Sequence, residues 1–196
     1  MIPDGYTDLA PGKIASVVTY LEMLKPPRLP EGARNRVHLR RILNPDLEWY
    51  RGIYRRAGTQ WFWFSRLEMT DEQLSARLNA STTELFVAEC DGGEAGLAEL
   101  DRSVSLDVEI TFFALFPEAM GKSLGRPLMD AVLEQAWTGS TKRVWLHTCT
   151  FDAAAALPFY LKCGFRPYKR AIEVADDPRM RGILPADAAP QVPIIR

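Results

Sequence analysis

The sequence has little of what disulfide scaffolds, metal centres and membrane spans are made from. Only three cysteines occur in 196 residues, Cys90, Cys149 and Cys163, and none forms a CxxC pair. An odd, scattered set argues against a disulfide framework and a zinc cluster, and points to a reducing cytoplasm. The two histidines, His38 and His147, are too few for a multi-histidine site, so no metal is expected. No apolar run approaches the ~18 residues of a membrane helix, and the N-terminus lacks the basic-then-apolar pattern of an export signal. Charge of one sign is missing as well. A net charge of −1 speaks against a general nucleic-acid binder, because counterion release needs clustered Lys and Arg.

What remains is an ordinary globular composition, 47% hydrophobic and 25% charged, with enough chain for one core. Residues 1–31 carry Pro3, Pro11, Pro26, Pro27 and Pro30 around an apolar run from Val17 to Leu24 that suits either a strand or a short helix. They are expected as an extension packed on a domain of residues 32–174, with 175–196 as a C-terminal tail. Residues 36–42 alternate as a strand does. Asn44-Pro45-Asp46 opens a helix carrying Leu47, Tyr50, Ile53 and Tyr54 at helical spacing, and Thr70 and Gln73 stand in capping-box register for a second. Residues 84–89 and 94–100 flank the turn signal Asp91-Gly92-Gly93, and 106–116 is a third β-rich run. Helical periodicity follows over 124–137, then a strand at 144–148, a helix over 152–162 and a last strand over 165–174. That order predicts a mixed α/β three-layer domain.

The segment from 106 to 125 is where chemistry enters. A strand running into a helix start presents unpaired N–H groups and the positive end of the helix dipole, a combination that holds phosphate. Gly121 and Gly125 keep side chains out of the approach, Lys122 and Arg126 supply cations, and Pro127 confines the helix start to a few residues before it. An ordinary strand-to-helix turn has the same composition.

Residues 109–126 resemble the acetyl-CoA motif of the GNAT superfamily of N-acetyltransferases. Leu146-His147-Thr148-Cys149-Thr150, followed by Ala156-Leu157-Pro158-Phe159-Tyr160 and Gly164-Phe165, resembles its second motif. The resemblance implies a GNAT-like α/β/α fold with a mixed, mostly antiparallel sheet splayed at the acyl-CoA site. It also implies acetyl-CoA as co-substrate and direct transfer to a primary amine of a small molecule or peptide.

By the same resemblance the cofactor lies on the backbone of Ala114 and Leu115 and on Met120, Gly121, Lys122, Ser123, Leu124, Gly125 and Arg126. Asp152, Phe159 and Tyr160 lie beyond it. Met120 and Ser123 stand where the family usually has Gln or Arg and a glycine, and Ser123 can replace the glycine if its backbone stays right-handed. Only Gly125 matches among those key positions. Asp152 is one residue ahead of the place of the family's Asn.

Tyr160 corresponds to the family's leaving-group acid; it equally suits packing against Phe159. Glu109 is a base candidate or an exposed strand residue, and His147 a second base candidate or a core residue. Trp49, Tyr50, Tyr54, Trp61, Phe62, Trp63 and Phe64 wall the acceptor side or simply pack the helices. Arg51, Arg55 and Arg56 are positioned to hold a carboxylate. The alternative function is a catalytically weak or inactive acyl-CoA-binding module. A homodimer is compatible with the exposed aromatics; no nucleic-acid or membrane partner is expected.

Overall fold

The computed structural model describes residues 4–28 and 36–196. The boundary expected at residues 31 and 32, with Pro3 and Pro30, lies outside them. Among the described residues seven strands form one sheet: β1 (Lys13–Met23), β2 (His38–Ile42), β3 (Thr83–Cys90), β4 (Gly93–Asp101), β5 (Asp107–Leu115), β6 (Arg143–Cys149) and β7 (Arg166–Asp176). The same residues form four α-helices: α1 (Leu47–Gly58), α2 (Asp71–Leu78), α3 (Gly125–Ala136) and α4 (Ala156–Lys162). This is the GNAT-like α/β arrangement expected from the sequence.

Local chemistry accounts for most boundaries. The Asp46 carboxylate accepts from the Trp49 N–H at 2.8 Å and starts α1. Thr70 and Gln73 close the capping box of α2 in both directions. Asp91 and Gly92 both take positive φ, 52° and 77°, the turn that matches the twist of the β3–β4 hairpin. One expectation fails at its start. Helix α4 begins at Ala156 rather than near Asp152, because the Asp152 carboxylate accepts from the Cys149 N–H at 2.9 Å and holds a turn there.

Strand β3 shows how the layers are built. Leu85 and Val87 face Tyr50, Ile53, Tyr54, Leu74 and Phe116 on the α1–α2 side. Phe86 and Ala88 face Leu128, Met129, Val132 and Leu133 of α3 on the other. A period of two thus feeds two cores.

The strand order is β2-β3-β4-β5-β6-β1-β7. The crossover from β6 through α4 to β7 leaves a gap one strand wide, and β1 fills it. It pairs antiparallel with β6 (Leu21 opposite Leu146) and with β7 (Ser16 opposite Glu173). The apolar run of the N-terminal segment is therefore a strand, and it is interior to the sheet. Past β7 the chain folds back, with the Asp177 N–H donating to Gly12 O at 2.8 Å and the Gly12 N–H to Ile195 O at 2.8 Å. No helix among the described residues is long and apolar enough to cross a membrane.

Candidate active site

The site is an opening in the sheet. Strands β5 and β6 form the parallel pair, but only Asp107–Glu109 pair with Arg143–Trp145. Beyond Glu109 the strands part. A bulge between Leu100, opposite Ile110, and Glu99, opposite Phe112, leaves Thr111 as the extra residue and re-aims β5. On its other side β5 stays paired to β4, with Leu97 opposite Ala114 and Gly96 opposite Leu115. A Cβ at Gly96 would lie 2.4 Å from the Ala114 carbonyl oxygen, so only glycine permits this close approach. Among the described residues the β6-facing edge of residues 110–115 has no strand partner, an arrangement that favours a ligand able to hydrogen-bond along it.

A cavity of about 510 Å³ fills the opening, a size common for small-molecule sites. Of the residues expected at the site, Ala114, Leu115, Met120, Gly125, His147, Asp152, Phe159 and Tyr160 line it. Glu109, Gly121, Lys122, Ser123, Leu124 and Arg126 lie outside its lining.

Of the residues expected to cradle phosphate, Met120 and Gly125 reach the lining and the others belong to the loop and helix start around them. A short 3₁₀ turn, Pro117–Ala119, leads from β5 into the loop before α3. No side chain caps α3, and among the described residues the N–H groups of Gly125 and Arg126 find no acceptor. Gly121 has φ 75° and Ser123 φ 56°. A right-handed backbone, the condition for Ser123 to replace the glycine, is not met: the loop reverses there through the left-handed region, which a serine enters at a cost of about 1–2 kcal/mol. Lys122 is exposed, and Arg36 donates from Nη2 to the Lys122 carbonyl at 3.3 Å, placing a second cation at the loop. Arg126 is committed to Asp130 (Nε to Oδ1, 2.7 Å).

Ser123→Gly should relieve the strain at the price of a more flexible unfolded chain, a net gain of roughly 0.5 kcal/mol. A Tm about 1–2 °C higher is expected by calorimetry. A lower Tm would mean the serine hydroxyl contributes something that glycine cannot.

Tyr160 lies at the inner wall, enclosed by Phe113, Phe159 and Phe165, with ring centroids 6.2, 5.6 and 6.3 Å away. Its hydroxyl has no hydrogen-bond partner among the described residues. Burial first, and the nearby Asp152 carboxylate second, push its pKa well above the usual phenol value, so it stays protonated. Asp152 lines the cavity, yet one of its oxygens is occupied: Oδ2 accepts from Thr148 Oγ1 at 2.6 Å and from Cys149 N. The Cys149 thiol is pushed up by burial and then by Asp152, which disfavours the thiolate needed for a covalent intermediate.

The two base candidates stand next to each other. Glu109 on β5 and His147 on β6 approach to 3.5 Å (Oε1 to Nδ1), at the fork where the strands separate. Their adjacency follows from the parallel register alone, and nothing local in either segment signals it.

Of the aromatics expected toward the acceptor, Trp61, Phe62, Trp63 and Phe64 all line the cavity. Phe62 takes φ 59°, and the resulting kink lets consecutive aromatics share one wall. Tyr50 is instead core: its hydroxyl donates to the fully buried Glu99 at 3.0 Å, and Glu99 also holds Arg66. Trp49 packs on the same core. Arg51 is paired with Glu48 and Asp71, and Arg56 with Glu94 and Glu118, so neither guanidinium is open to a carboxylate. Thr111, Ser65, Phe151 and Glu173 line the cavity without having been singled out from sequence. Bulge position and strand order, which placed Thr111 and Glu173, leave no mark in residue spacing.

Residues 81–167 match the family of acetyltransferase (GNAT) domains. Solved structures share the fold at low identity. A putative GNAT-family acetyltransferase from Novosphingobium aromaticivorans superposes with TM-score 0.57 at 15% identity, over 87% of this chain and 71% of that one. The ribosomal-protein-S18-alanine N-acetyltransferase from Escherichia coli gives 0.55 at 16%, over 70% and 92%. An IAA acetyltransferase from Bacillus cereus gives 0.51 at 21%, over 68% and 79%. No curated protein sequence matches the chain. Residues 81–167 thus resemble an acetyltransferase (GNAT) domain, and the fold of the described residues is GNAT-like.

Proposed function

We propose that the protein is an acetyl-CoA-dependent N-acetyltransferase that acts on a primary amine by direct attack. The observation that carries this is the Tyr160 hydroxyl, buried, protonated and unpartnered in a cavity that opens beside an unpaired strand edge. Residues 120–126, with the uncapped start of α3, suit a pyrophosphate; Lys122 and Arg36 supply positive charge there. The free edge of Ala114 and Leu115 suits the amide-bearing arm of the same molecule.

In the transfer step a nitrogen–carbon bond forms and a carbon–sulfur bond breaks. The His147–Glu109 pair takes the proton lost by the amine, with the carboxylate stabilising the imidazolium. Tyr160 gives its proton to the departing sulfur and regains one from solvent. Cytoplasmic location and a homodimer are also parts of this proposal, and the catalytic unit takes in β1, whose Ile14 and Ser16 line the cavity, together with residues 32–174.

Calorimetric titration with acetyl-CoA, followed by thiol release across a panel of amines, tests it. Micromolar binding with turnover on at least one amine is expected. Binding without turnover on any amine would favour the second reading, a non-catalytic acyl-CoA-binding module, which the strained Ser123 and the atypical Met120 motivate.

A further inference from the structure

The cavity runs past the splay, farther than the transfer step requires, onto β1 and β7. There its walls are Ile14, Ser16, Glu173 and Ala175, with Phe62 and Phe151 opposite. The C-terminal residues pack behind this end: Leu184, Ala188 and Ala189 cluster with Ile14 and Phe62, and Phe151 and Ala175 pack against them. Arg179 stacks 4.8 Å from the Phe62 ring and is itself neutralised by Asp177 at 2.6 Å. The aromatic wall is thus supported from outside.

Charge in the lining is of one sign. Asp152 and Glu173 contribute carboxylates, His147 an imidazole, and neither Lys nor Arg is present among the described lining residues. Asp152 is engaged by Thr148 and the Cys149 N–H. The Glu173 carboxylate makes no hydrogen bond or ion pair among the described residues. Its strand lies two places from β6 in the sheet order, across β1. At about 4.8 Å per strand, Glu173 is about 10 Å or more from the β5–β6 opening. An attacking nitrogen has to be within about 3.5 Å of the acyl carbon, so one ammonium cannot serve both places.

We infer that the acceptor is a primary amine carrying a second positive charge, held by Glu173 about 10 Å or more from the nitrogen that attacks. The inference rests on the acyl-transfer reading and names its substrate class. Phe62 and Phe151 offer ring faces to the apolar spacer and to the distal cation. An acceptor carboxylate would meet Glu173 with no neighbouring cation to offset it, which selects against amino acids.

The test measures kcat/KM for α,ω-diamines of increasing length, alkyl monoamines of matching length and ω-amino acids. Long diamines should exceed matched monoamines by about 10-fold or more, with ω-amino acids poorest. Glu173→Gln should raise KM for diamines and bring the diamine-to-monoamine ratio close to one, and Glu173→Asp should restore part of it. Equal use of diamines and monoamines by the wild type, a ratio unchanged by Glu173→Gln, or a preference for amino acids would overturn the inference while leaving acyl transfer standing. If no amine turns over, acyl transfer itself falls. Titration of diamines into the CoA-saturated protein then still decides on Glu173, and equal affinities for wild type and Glu173→Gln would overturn its role.

Discussion

Tyr160→Phe should lower turnover by about 100-fold or more while acetyl-CoA affinity changes by less than about twofold. The ring makes three aromatic contacts that phenylalanine keeps, and the hydroxyl has no partner among the described residues to lose. Stability should therefore hold, and a Tm within about 2 °C of the wild type would confirm that only chemistry was removed. Because burial raises the pKa of this phenol, the acid remains in its proton-donating form as pH climbs past the usual tyrosine range. Any alkaline decline in kcat then has to come from another group. Thiol release at saturating amine gives the rate, and calorimetry gives the affinity. Unchanged turnover would remove Tyr160 from the mechanism and leave it as packing.

Gly125→Glu is expected to weaken acetyl-CoA binding by about 100-fold or more. A β-carbon at this position meets Phe159 at 3.5 and 3.7 Å, ordinary contacts, so Gly125→Ala serves as a control with nearly native affinity. The glutamate adds bulk and a negative charge at the first residue of α3, where a phosphate would sit. The same charge is favourable for the helix itself, by about 0.3–1 kcal/mol at its N-terminus. Affinity and stability should therefore move in opposite directions, which separates a lost ligand site from a damaged fold. Retained affinity in Gly125→Glu would place the pyrophosphate elsewhere.

Both variants act at positions legible in the sequence, because each depends on a local pattern. A helix start needs its glycine and proline within a few residues, and Phe159-Tyr160 precede Gly164-Phe165 at a fixed spacing on one short helix. The same locality explains the two capped helices at Asp46 and Thr70, and the hairpin at Asp91-Gly92. The handedness at Ser123 is not legible in the sequence, because serine takes either sign of φ when the surrounding loop imposes it. The start of α4 was misplaced because Asp152 bonds backward to Cys149, a choice its neighbours do not announce.

Strand neighbours are a different matter. Alternation tells which residues share a face, and says nothing about which strand lies alongside. Hence β1, whose run suited strand or helix, takes its place between β6 and β7 only once the β6–α4–β7 crossover leaves room for it. The entry of Glu173 into the cavity follows from that order, and the meeting of Glu109 with His147 from the β5–β6 pairing. The sequence by itself determined most of the elements and the stretches proposed for the cradle and the acid, since short-range sterics and hydrogen bonding suffice for those. The tertiary structure decided which strands lie side by side, because β5 and β6 pair across 36 residues and β1 pairs with β6 and β7 across more than a hundred.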